Sequence, residues 1–114
     1  MYSTELLKGT LQTIILKLLN DNERMYGYEI TQKVKELSSD RIQLTEGSLY
    51  PTLHKLEAEG LLKTETVFIG KRKRKYYSLT RTGNTFCDEK LSELTEFIKT
   101  VSKVLQLKPD LSWS

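Results

Sequence analysis

Five consecutive cations, Lys71-Arg72-Lys73-Arg74-Lys75, are the densest chemistry in this sequence. Ammonium and guanidinium groups packed so closely suit a polyanion. A solvated tail can carry such a run too, so its place in the fold must decide. The 114-residue chain has a net charge of +3, of which the run alone supplies +5, leaving −2 on all other side chains. The positive field is therefore a local patch on a slightly acidic body.

No other cluster suggests reactive chemistry. His54 is the only histidine and Cys87 the only cysteine. A metal site needs several convergent ligands and a nucleophile needs a base beside it, so neither residue has the company it requires. Phosphate-cradling glycine loops and HExxH are missing, and no carboxylate is singled out by its surroundings. The expectation is a protein that is not an enzyme and uses no cofactor or metal. A lone cysteine fits a reducing compartment. No apolar run reaches the ~18 residues of a membrane span, and Met1-Tyr2-Ser3-Thr4-Glu5 lacks the character of a secretory signal. A cytoplasmic location with no membrane partner is expected.

The elements that hold the cations follow from periodicity. Leu7, Leu11, Ile14 and Leu18 recur at helical steps and predict one helix over about 5–19, closed by Asn20-Asp21-Asn22. A second helix starts near Tyr26-Gly27-Tyr28, shows Ile30, Val34 and Leu37 on one face, and stops around Ser38-Ser39-Asp40. A third follows Thr45 as N-cap, buries Leu49, Leu53 and Leu56, and ends at Gly60. Pro51 leaves its start open. From Ser48 the proline removes no bond, whereas from Glu46 it should bend the first turns.

Beyond Gly60 the period becomes two. Leu62–Ile69 and Tyr76–Leu79 predict a hairpin with the basic run at its tip. Tyr77 shares a face with Leu79 and should be core, leaving Tyr76 more available. Thr80 then caps a helix from about Arg81 to Leu107, ended by Pro109. Cys87, Leu91, Leu94, Ile98, Val101 and Leu105 form an a/d seam of about three heptads. A helix of that length, ~40 Å, outreaches so small a domain. The preferred reading is a homodimer seam, with Leu7 and Leu11 as further dimerisation candidates. The alternative is a helix that packs only on its own domain.

This order of elements is that of a winged helix-turn-helix: a mostly α fold with a small β-hairpin and a long C-terminal dimerisation helix. Three segments are expected, a DNA-binding domain over 1–80, the dimerisation helix over 81–108 and a tail over 109–114. The third helix should enter the major groove of double-stranded DNA by its N-terminal end. With its leucines inward, Gly47, Ser48, Pro51, His54, Lys55 and Ala58 face outward. Thr45, Gly47, Ser48, Tyr50, Pro51, His54 and Lys55 are the DNA-contact candidates there. Arg72 and Arg74 suit a narrow minor groove, and Lys71, Lys73 and Lys75 suit phosphates. Strand alternation should turn some of these five away. A winged helix serving as a protein-interaction adaptor is the rival, but an adaptor has no need of five adjacent positive charges.

Three spaced motifs add to this reading. At Tyr26-Gly27-Tyr28, at Leu49-Tyr50-Pro51-x-Leu53-x-x-Leu56-Glu57-x-x-Gly60-Leu61, and at Arg74-x-Tyr76-Tyr77-x-Leu79-Thr80-x-x-Gly83, the chain resembles the PadR family of bacterial transcriptional regulators. The resemblance covers essentially the whole chain and points to the smaller subgroup with one C-terminal helix. It implies a cytoplasmic dimer with the last helix exchanged between subunits. It also implies binding to inverted repeats near promoters, as a repressor released by a small molecule. Some small members take flat aromatic compounds between subunits, stacked on a tryptophan of the last helix. Here the only tryptophan, Trp113, lies beyond Pro109, so Phe86 and Phe97 are the ligand-binding candidates for a small aromatic effector.

Overall fold

The computed structural model describes residues 2–107. Its elements, in order, are α1 (Thr4–Lys8), α2 (Leu11–Asp21), β1 (Met25–Tyr26), α3 (Gly27–Leu37), α4 (Glu46–Ala58), β2 (Leu62–Ile69), β3 (Arg72–Leu79) and α5 (Arg81–Leu105). The strands form one antiparallel sheet in the order β1-β3-β2. The fold is the expected winged helix-turn-helix with a long last helix.

The core gathers side chains at helical spacing from three helices. Leu11, Ile15, Leu16, Leu18 and Leu19 of α2 meet Ile30 and Val34 of α3 and Leu49, Leu53 and Leu56 of α4. Leu61, Leu62, Tyr77 and Cys87 close the cluster from the sheet side and from α5. Burying this apolar surface is the main driving force for the arrangement.

The single first helix expected over 5–19 is instead two. The Thr10 hydroxyl donates to the Leu6 and Leu7 carbonyls at 3.3 and 3.2 Å, and the backbone turns at Gly9-Thr10 before α2 begins. A threonine that satisfies the last carbonyls of a short helix competes with its continuation. Leu37 is a second correction: it is 66% exposed, because no element covers the last turn of α3, and only Ile30 and Val34 reach the core.

Helix α4 starts at Glu46, with the Thr45 hydroxyl accepting from the Ser48 N–H at 3.2 Å. Pro51 therefore sits inside the helix, and the bond its N–H would have made to the Gly47 carbonyl is missing. The helix ends as expected. Gly60 adopts φ +77°, its N–H donates to the Glu57 carbonyl, and the Leu61 N–H donates to that of Leu56. Those two bonds are the Schellman pattern.

The hairpin is longer than expected. Ile69 pairs with Arg72 across a two-residue turn, Gly70-Lys71, with Gly70 at φ +64°. Four of the five cations consequently lie in β3 and only Lys71 in the turn, which corrects the expectation of a basic loop tip. Strand β1 had no expectation at all. Its two residues pair with β3, Met25 with Tyr77 and Tyr26 with Tyr76.

Thr80 caps α5 by accepting from the Gly83 N–H at 3.0 Å. It also ties the helix to the end of α4. The Thr80 N–H donates to the Leu61 carbonyl at 3.1 Å and its hydroxyl to the Gly60 carbonyl at 2.7 Å. Helix α5 ends at Leu105, with Gln106 in the left-handed region at φ 56°. Pro109, Trp113 and the 109–114 tail lie outside the described residues.

Two of the dimerisation candidates, one on the seam and one on the N-terminal helix, are spoken for within the chain. Leu11 is 7% and Cys87 0% exposed, both in the chain's own core, so neither is open to a partner. Helical phase assigns a residue to a face, but a neighbour in the same chain can cover that face first. Leu7, Leu91, Leu94, Ile98 and Val101 are half-buried, and Leu105 is exposed. The Cys87 thiol is raised above its ordinary pKa, first by burial and then by Asp88. A raised thiol pKa contributes stability that is complete below the unfolded value, about 8.5, and is lost as pH rises through the folded one. Cys87 should therefore resist alkylation by iodoacetamide near neutral pH until denaturant is added. Mass spectrometry of the native and unfolded protein would check it, and ready native alkylation would contradict the burial.

Candidate nucleic-acid interface

The exposed side of α4 carries small and hydrogen-bonding groups at its leading end. Gly47, Pro51, His54, Lys55 and Ala58 are exposed, and Ser48 and Tyr50 are half-buried. Thr45 and Ser48 are engaged with each other. The Ser48 hydroxyl donates to the Thr45 carbonyl at 3.0 Å and accepts from the Thr45 hydroxyl at 3.1 Å. Their first duty is the helix cap, which leaves each hydroxyl one unused acceptor lone pair.

Across from this surface stands β3. Beyond Tyr76 its edge has no pairing strand on the β1 side. Between that edge, the start of α3 and the flank of α4 runs an open groove of ≈ 780 Å³. Tyr26 lines it from β1, Gly27 and Tyr28 from the start of α3, Tyr50 and His54 from α4, and Arg72, Lys73, Arg74 and Lys75 from β3. The structure thus brings half of the expected contact residues, Tyr50, His54 and Arg72 to Lys75, to one cleft. Thr45, Gly47, Ser48, Pro51 and Lys55 lie on α4 or its cap outside the groove lining, and Lys71 lies in the turn.

Alternation divides the basic run between two faces. Lys73 and Lys75 share a face with buried Tyr77, and Arg72 and Arg74 share the other with Tyr76. On the first face, Lys75 Nζ lies 3.7 Å from Glu57 Oε1, while Glu57 Oε2 accepts from the Thr64 hydroxyl at 3.2 Å. Glu57 therefore braces α4 against the hairpin, and Lys75 is partly occupied by it. Lys73 lies over the Phe68 ring at 5.8 Å. Burial, reinforced by the Glu57 charge, raises the Tyr77 phenol above its ordinary pKa.

The second face holds a stack that the sequence reading missed. Tyr26 and Tyr76 meet edge to face, their centroids 5.5 Å apart. The Arg74 guanidinium lies 4.0 Å from the Tyr26 ring centre, and Arg24 lies 4.2 Å from that of Tyr76. Arg24 is also paired with Glu65. Arg74 donates to the Tyr76 hydroxyl at 3.5 Å, a bond that raises its pKa further. Tyr76 is consequently half-buried, less available than expected. The clue in the sequence was that Arg24 and Tyr26, like Arg74 and Tyr76, form an arginine–tyrosine pair two residues apart.

Gly27 is required by a close approach. A Cβ there would stand 2.3 Å from the Tyr50 hydroxyl oxygen and 2.8 Å from the ring carbon that bears it. Gly27→Ala should therefore displace the Tyr50 ring from the groove. We expect a stability loss of about 1 kcal/mol, at the mild end of overpacking, measured by urea unfolding. A change in Tyr50 fluorescence or its ring resonances should accompany it, and unchanged resonances would refute the contact.

The two ligand candidates lie away from this groove. Phe86 is half-buried beneath the Lys90 ammonium, 5.5 Å from its ring centre. Phe97 is 63% exposed and borders a second groove of ≈ 660 Å³ between α1, α2 and α5, with Leu6 and Leu94. The two phenylalanines do not share one pocket among the described residues. In the same residues no helix is long and apolar enough to cross a membrane, and no cluster of His, Cys, Asp or Glu could hold a metal ion.

Known proteins share this fold. A transcriptional regulator of Mycobacterium tuberculosis is 36% identical over 97 residues, covering 85% of this chain and 87% of its own. The solved structure of a transcriptional regulator from Clostridium thermocellum superposes with a TM-score of 0.81 at 28% identity, over 90% of this chain and 97% of the other. That of a PadR family transcriptional regulator from Eggerthella lenta gives 0.76 at 33% identity, over 91% and 88%. Residues 15–89 match the family described as the transcriptional regulator PadR-like family. The chain belongs to the PadR-like family of transcriptional regulators.

Proposed function

We propose that this regulator binds double-stranded DNA sequence-specifically as a homodimer and acts as a repressor that a small molecule releases. One observation carries the DNA reading: the ≈ 780 Å³ groove between α4 and the wing is lined by four adjacent cations. A groove of that charge beside an exposed helix suits a phosphate backbone passing from the major groove to the wing. Residues 1–80 form the DNA-binding unit, 81–108 the dimerisation segment that contains α5, and 109–114 a tail. Thr45, Gly47, Ser48, Tyr50, Pro51, His54 and Lys55 approach the base edges and nearest phosphates, and the wing cations hold the backbone.

The dimer draws on the outer half of α5. Leu94, Ile98 and Val101 are only half-buried within one chain, while Phe97, Val104, Leu105 and Leu107 are exposed. Such a row of large apolar side chains at helical spacing is costly to leave in water. An aromatic effector near Phe97 would act by changing how two such helices meet. The role is non-catalytic and cytoplasmic.

Purified protein mixed with sheared genomic DNA of its source at moderate salt, followed by sequencing of what is retained, tests the reading. Enrichment of an inverted repeat beside a few genes is the expected result. Uniform retention would remove the claim of specificity. No retention by intact dimers would favour an adaptor role.

A further inference from the structure

We propose that Tyr26 is a positioning residue for DNA binding, holding the Arg74 guanidinium ready at the wing edge so that it meets a phosphodiester without first being ordered. The proposal rests on the DNA-binding reading and adds a role for a residue on β1 that need not touch the nucleic acid.

Three observations support it. The Tyr26 ring covers one face of Arg74 at 4.0 Å from its centre, a distance at which the ring quadrupole attracts the cation. The Tyr76 hydroxyl accepts one of the guanidinium's hydrogen bonds at 3.5 Å, leaving the other donors of the fork unspent. Tyr26 is itself fixed, since its backbone pairs with Tyr76, its ring meets the Tyr76 ring at 82°, and its N–H donates to Glu29 Oε1 at 3.1 Å. The support is thus built on a strand pair and a helix start, not on another mobile side chain.

The physical gain is conformational. A free arginine loses much of its rotamer freedom when it grips a phosphate, and that loss weakens binding. Arg74, covered on one face by a ring and held by a hydroxyl, has given up part of it on folding. It also lines the groove, so the held group lies where a backbone strand would pass. Arg72 shares the strand face but has no such ring partner among the described residues, so the two arginines should respond differently.

A double-mutant cycle on duplex binding is the test, read by fluorescence anisotropy with a short labelled duplex of mixed sequence at sub-physiological salt. Tyr26→Leu should weaken binding about twofold to fivefold in the otherwise unaltered protein, the span of an exposed cation–π contact. In an Arg74→Ala background the same change should cost nothing further. Tyr26→Phe keeps the ring face and should restore binding, and an Arg72→Ala background should leave the Tyr26→Leu loss intact. Equal losses with and without Arg74 would overturn the proposal, as would no loss at all. Should Tyr26→Leu fail to fold, Tyr76→Phe removes only the accepting oxygen, and its smaller loss should vanish in the Arg74→Ala background. An unaltered protein that binds no duplex would overturn the DNA-binding reading, and the proposal with it.

Discussion

Gly83→Ala is expected to lower stability by about 3 kcal/mol, the upper range for overpacking, and so to drop the melting temperature by roughly 10–20 °C. Helix propensity argues the other way, since alanine inside a helix is favoured over glycine by about 1 kcal/mol. Sterics decide the sign. A Cβ at Gly83 would stand 2.0 Å from the Leu61 carbonyl oxygen and 3.0 Å from its carbon, both backbone atoms. That carbonyl is already held by the Thr80 N–H, and the Leu61 side chain is buried. Relief would require moving either the α4–β2 connection or the start of α5, which carries Cys87 into the core. Gly9→Ala is the matching control, because a Cβ there meets nothing within 4 Å. Thermal melts followed by circular dichroism would compare the two. A Gly83→Ala protein as stable as the parent would disprove the close approach of α5 to Leu61.

The second large effect concerns the wing. Replacing Lys71, Arg72 and Lys73 together by alanine should weaken duplex binding at least tenfold near 0.1 M salt, by loss of counterion release. The slope of log affinity against log salt should fall by about one for each phosphate contact removed. Lys75→Ala should cost less than any one of these, because the Lys75 ammonium is shared with Glu57. Lys99→Ala, on the exposed side of α5, serves as the control for charge alone. A triple variant whose slope equals that of Lys99→Ala would remove the wing from the interface.

The features legible in the sequence were those that repeat or that depend on one local hydrogen bond. Leu49, Leu53 and Leu56 marked the buried stripe of α4, and Thr45, Thr80 and Gly60 marked ends whose chemistry is local. Tyr77 was placed correctly because alternation fixes which face it shares. Short and non-local features were hidden. Two residues, Met25 and Tyr26, carry no period, so β1 could be found only by its partner. The hairpin register depended on a two-residue turn at Gly70-Lys71, which moved four cations from a supposed loop into a strand. Cys87 kept the right phase for the seam and Leu11 for an apolar stripe, but phase says nothing about which chain supplies the cover. The groove itself drew Tyr26, Gly27 and Tyr28 beside residues some 45 positions away, a proximity that no local pattern records.

The knot at Gly60, Leu61, Thr80 and Gly83 has a mechanical consequence. It fastens the end of α4, the start of β2 and the start of α5 at one point, so these three cannot yield independently there. Helix α5 leaves that point as a rod of 25 residues, about 37 Å long at 1.5 Å per residue. A tilt of about 5° at the fastened end would carry the far end sideways by roughly 3 Å over that length. Read in reverse, a shift of a few ångströms at the free end is geared down to a small turn of α4 and the wing together. The long helix works as a lever whose fulcrum is this four-residue knot.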